Sequence, residues 1–92
     1  MPMHTTIATA GNVLPSAFAC LRDLGYVVTE VESSNLCKAE KGSMSFVAED
    51  PLLLLGLIKL HEMRGDNWRP SDKEIDAYLA FDNSHGAGPY GG

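Results

Sequence analysis

"EDPLLLLGLIKLHEMRG", residues 49–65, is the segment on which the fold turns. Two acids and a proline precede seven residues without a polar side chain, and a mixed run then ends at glycine. Both ends carry helix signals. Asp50 suits an N-cap, Pro51 the first helical position, where its missing N–H costs nothing, and Glu49 puts negative charge near the positive end of the helix dipole. Gly65 suits the C-terminal stop, and Arg64 puts a cation in the last turn. These signals predict a helix over about 51–64. A membrane span is excluded, because the apolar run falls far short of ~18–20 residues and Lys59, His61, Glu62 and Arg64 interrupt its continuation. Gly56 inside the helix costs ~1 kcal/mol relative to alanine; it either lets another element approach closely or is simply tolerated there.

Upstream, Leu14, Ala17, Phe18, Leu21 and Leu24 recur at helical steps, with Pro15 in the first turn and Gly25 placed to end the helix. "YVVTEVE" (26–32), "LCKAEK" (36–41) and "SMSFVAE" (43–49) read as strands, separated by the turn cluster "SSN" and by Lys41-Gly42. Met44, Phe46 and Ala48 alternate with Ser43, Ser45 and Val47, the pattern of a half-buried strand. Downstream, Pro70 discourages helix before it, and Ser71 with Glu74 makes a capping box. Ile75, Tyr78 and Leu79 then form the expected inward face of a last helix.

The order helix, three-stranded antiparallel meander, helix, helix predicts a two-layer α+β domain. The central helix is expected to rest on the sheet, with the first and last helices flanking it. The expected domain covers residues 13–82, between a flexible arm at 1–12 and a disordered glycine-rich tail at 83–92.

Composition narrows the function classes. The chain has 92 residues, 45% of them apolar, and a net charge of −5. That balance and the scattered basic residues speak against general nucleic-acid binding and against anionic membranes. Cys20 and Cys37 have neither CxxC spacing nor partners for a zinc site. They read as two small buried thiols in a reducing, cytoplasmic setting, with a bond between them left open. The N-terminus lacks the basic and apolar regions of a signal peptide.

Catalytic motifs are missing. His61-Glu62 begins an HExxH pattern, but its fifth position is Gly65, so the second ligand is absent. No GxSxG elbow surrounds a serine, and no glycine-rich phosphate loop occurs. "RGD" at 64–66 reads as a helix stop. The acid pairs lack the EF-hand pattern. The expectations are therefore no catalytic residue, no cofactor and no metal, with an enzyme the weaker possibility.

One polar–aromatic stretch stands out. "RGDNWRP", residues 64–70, joins two helices and holds the only tryptophan. Loops carry function more often than cores, and Trp and Arg are enriched at interface hot spots. Arg64, Asp66, Trp68 and Arg69 are the candidate contact residues here, beside the alternative that Trp68 only plugs the core. Leu54 is added for a second reason. The 52–58 run is apolar nearly all round, and one small chain has little material to cover every side. A second copy meeting this helix or the neighbouring sheet edge, as a homodimer, is one completion; the other is a monomer in which the first and last helices wrap it fully.

By elimination, the sequence suggests a small bacterial-type protein-interaction or regulatory module. The alternatives are a small-ligand binder with an apolar pocket between sheet and helices and, more weakly, a homo-oligomeric enzyme with a shared site.

Overall fold

The computed structural model describes residues 5–9 and 12–85. The element order is α1 (Val13–Asp23), β1 (Val27–Glu30), β2 (Cys37–Lys41), β3 (Met44–Ala48), α2 (Pro51–Arg64) and α3 (Asp72–His85). This is the expected small α+β fold, with one antiparallel sheet in the order β1-β2-β3.

Each junction has a local cause. Gly25 takes φ +96° just past α1. The Tyr26 N–H then donates to the Leu21 carbonyl at 3.0 Å and the Gly25 N–H to Arg22 at 2.9 Å, the paired bonds of a Schellman stop. The Lys41 ammonium donates to the Leu24 carbonyl at 2.7 Å, so the sheet helps hold the end of the helix. Between β2 and β3, Gly42 has φ +58° while Ser43 stays negative, the pattern of a two-residue II′ turn. That turn makes Lys41–Met44 the hydrogen-bonded closing pair. Alternation then gives Ala39–Phe46 and Cys37–Ala48 as the other bonded pairs. The strands are shorter than the sequence suggests, because the turns take up their flanking residues.

α2 keeps both expected ends. The Leu53 N–H donates to Asp50 Oδ1 at 2.8 Å, and the Gly65 N–H closes on the His61 carbonyl at 2.7 Å. The core gathers between sheet and helices: Leu21 from α1, Ala39 and Ala48 from the sheet, Leu54 and Ile58 from α2, with Tyr26, Val28, Phe46, Leu55 and Leu57 packed against them. α1 lies against β1 and α2, and α2 lies mainly over β3. The opposite sheet face, with Val27, Thr29, Glu40, Ser45 and Val47, is exposed.

Three expectations are corrected, and the alternative left open at Gly56 is decided. Leu54 is 0% exposed at the centre of the core, so it cannot contact a second copy; its neighbour Leu53 is the one facing outward, at 47%. The last helix does not flank the sheet: every residue from 72 to 83 is exposed, including the supposed inward face of Ile75, Tyr78 and Leu79. An apolar stripe shows that a helix has a face to cover, not that its own chain covers it. Gly56 is tolerated rather than required: among the described residues nothing lies within 4 Å of a Cβ built there. The thiols are not both buried: Cys20 is exposed and Cys37 half-buried, and both are free.

At the N-terminus, residues 5–9 are exposed and in neither helix nor strand. α3 runs to His85, past the expected boundary at 82, and the rest of the supposed tail, 86–92, lies outside the described residues, as do 1–4, 10 and 11 of the arm.

Candidate interaction groove

The connector from Gly65 to Ser71 is held at both ends. At its far end the capping box forms as the sequence predicts: the Ser71 N–H donates to Glu74 Oε1 at 2.9 Å, and the Glu74 N–H to Ser71 Oγ at 3.2 Å. The same Glu74 carboxylate accepts from Arg64, at 3.0 Å for Nη1–Oε1 and through a second bond from Nη2 to Oε2. The last turn of α2 is thereby latched to the first turn of α3. The Arg64 bonds, then the Ser71 N–H, hold the Glu74 carboxyl down to about 2, and the carboxylate raises Arg64 in turn. Both side chains are substantially exposed, so the latch fixes direction more than it adds stability.

Between these anchors the connector forms the far wall of an open groove of about 470 Å³. Asp66, Trp68 and Arg69 line that wall; Leu57, Leu60 and His61 come from α2, and Met44, Ser45 and Phe46 from β3. Trp68 is 42% exposed and carries the Arg69 guanidinium over its ring at 4.7 Å. A row of rings crosses from sheet to helix: Tyr26 meets Phe46 edge-on at 6.1 Å, and Phe46 meets His61 at 6.0 Å. His61 Nε2 lies 3.2 Å from Asp66 Oδ1.

Three of the candidate residues, Asp66, Trp68 and Arg69, thus come together at one groove. Arg64 is spent on the latch, and Leu54 lies in the core. Phe46, Leu57, Leu60 and His61 were not singled out as contact residues. Helical spacing could have grouped Leu53, Leu57, Leu60 and Arg64 on one flank of α2, but nothing in the sequence says that this flank stays uncovered.

The lining is mixed: Met44, Phe46, Leu57, Leu60 and Trp68 are apolar, and Ser45, His61, Asp66 and Arg69 are polar. Among the described residues the His61 ring hydrogen-bonds only to Asp66, and no serine or cysteine is joined to it as nucleophile to base. Cys37 donates instead to the Ala48 carbonyl at 3.4 Å, and its burial, then the negative charge of Asp50, raises its thiol. No group of three residues able to hold a metal ion occurs among the described residues, and no described helix is long and apolar enough to cross a membrane. Comparison with protein-family models, with curated proteins and with solved structures finds no match to this chain.

Proposed function

We propose that the chain is a small protein-interaction module, and that a partner docks on the groove between β3, α2 and the connector and on the apolar side of α3. One observation carries this reading. Ile75, Tyr78 and Leu79 make a half-exposed helical stripe on α3, the helix that follows the connector carrying the half-exposed Trp68. An exposed apolar helical stripe, and a groove wall carrying exposed tryptophan and arginine, are both features of docking surfaces. A cytoplasmic setting belongs to the same proposal, since an exposed free thiol such as Cys20 suits a reducing compartment.

The test is affinity capture from the native cell followed by mass spectrometry, with Trp68→Ala and Tyr78→Glu proteins as controls. A partner retained by the wild type and lost from both folded variants supports the reading. Equal recovery on all three refutes it.

The size of the groove favours a second reading, a small-ligand site, because its volume is within the range of ligand pockets. An apolar small molecule that raises the melting temperature of the wild type but not of Trp68→Ala would point there.

A further inference from the structure

The docking reading leaves the partner's form open; the β3 edge narrows it. In the β2–β3 register, Met44, Phe46 and Ala48 bond to β2. The backbone N–H and C=O groups of Ser45 and Val47 therefore point away from the sheet, on the side where Ser45 lines the groove. β3 is an edge strand, and "MSFVA" contains neither a charge nor a proline. Edges that must stay unpaired usually carry one or the other.

The layer dimensions point the same way. Two packed helices lie roughly 8–10 Å apart and strands roughly 4.8 Å apart, so a helix pair roofs about four strands. Here α1 and α2 roof three, with α1 over β1 and α2 over β3. The uncovered width falls beyond β3, under the outer flank of α2, where Leu57, Leu60 and Trp68 wall the groove. At its rim Arg69 stacks on Trp68 and has no carboxylate partner among the described residues. Asp66, at the same rim, is turned toward His61.

We infer that the groove takes an extended peptide segment of a partner as a fourth strand on β3, with an apolar side chain against Phe46, Leu57 and Trp68 and an acidic residue at Arg69. The inference rests on the docking reading above. A helix does not fit this edge, because its backbone groups are already bonded internally and cannot serve Ser45 and Val47. A second copy pairing β3 with β3 does not fit either. It would bring its own α2 to within about one strand spacing of the first, where two helices need roughly twice that.

The probe is a phage-displayed library of random linear dodecapeptides, selected on the full chain; one enriched peptide is then synthesised for solution work. Enriched sequences should alternate apolar and polar residues and carry an Asp or Glu. Adding the peptide should slow hydrogen exchange at the Ser45 and Val47 amides. Arg69→Glu and Val47→Pro should each weaken binding roughly tenfold. The proline removes an outward N–H that β2 does not use, and the exchange measurement on the wild type decides the matter if that variant does not fold. A peptide whose binding is lost in Trp68→Ala while exchange at both amides is unchanged would overturn strand addition and leave the docking reading standing. No enrichment would overturn it as well. A doubled mass in light scattering that Val47→Pro abolishes would assign the edge to a second copy and overturn the peptide.

Discussion

Leu53 and Leu54 are neighbours in an unbroken apolar run, yet the structure assigns them opposite duties, and alanine at each separates the two. Leu54→Ala removes three carbon atoms from a side chain with 0% exposure. At about 0.8 kcal/mol per methylene the transfer loss is about 2 kcal/mol, and the unfilled space adds more. The site is ringed by Leu21, Ala39, Ala48 and Ile58, whose short or already packed side chains have little freedom to collapse inward. The expected total is about 3–4 kcal/mol, which in a domain of this size lowers Tm by roughly 15–25 °C. Leu53, at 47% exposure, loses about half the transfer term and leaves no enclosed cavity, so Leu53→Ala is expected to cost less than about 1 kcal/mol. The assay is urea unfolding of both variants and the wild type, followed by circular dichroism at 222 nm and read as midpoint at constant slope. Similar losses at the two positions, or a larger loss at Leu53, would show that α2 is rotated on the sheet and would refute the core assignment. By the same logic Leu54→Glu should unfold the chain outright.

Three further outcomes follow from local geometry. Gly56→Ala is expected to raise stability by about 0.5–1 kcal/mol, because the position is helical and exposed and the new Cβ meets nothing; the urea midpoint measures it. Ser71→Ala should speed amide exchange throughout α3 while leaving the unfolding midpoint of the core unchanged, since the lost cap costs about 0.5–2 kcal/mol on a helix that the core does not feel. The Glu74 carboxyl is depressed from 4.5 to about 2, so the latch contribution is complete above the ordinary value and is lost as pH falls toward 2. An NMR titration of that carboxyl carbon should show the low midpoint, and one near 4.5 would refute the latch.

The parts of this fold that were readable from the residues are those with short-range causes. Asp50-Pro51, Gly65, Gly25, Gly42 and the Ser71–Glu74 box each act within a few residues, and the structure shows the bond or backbone angle each one implies. The phase of α2 was not readable, because a run apolar on every side has no periodicity from which to choose Leu54 over Leu53. The placement of α3 was not readable for a different reason. The Ile75, Tyr78 and Leu79 spacing defines a face, but the absence of a covering element is a property of the whole assembled chain. The groove lies between these cases. Its Asp66, Trp68 and Arg69 wall stood out by residue type, whereas Phe46 and Leu57 looked like ordinary core and became groove walls because no described strand pairs beyond the β3 edge.

The outlying position of α3 has a calorimetric consequence. The heat capacity of unfolding follows the apolar surface that folding hides, about 12–15 cal/mol/K per residue in an ordinary domain. A helix whose residues from 72 to 83 are all exposed in the folded state adds little to that total. The 14 residues of α3, about 0.2 kcal/mol/K at the ordinary rate, should therefore be largely missing from the measured increment. Part of that share would reappear as a negative heat capacity of association when a partner covers Ile75, Tyr78 and Leu79.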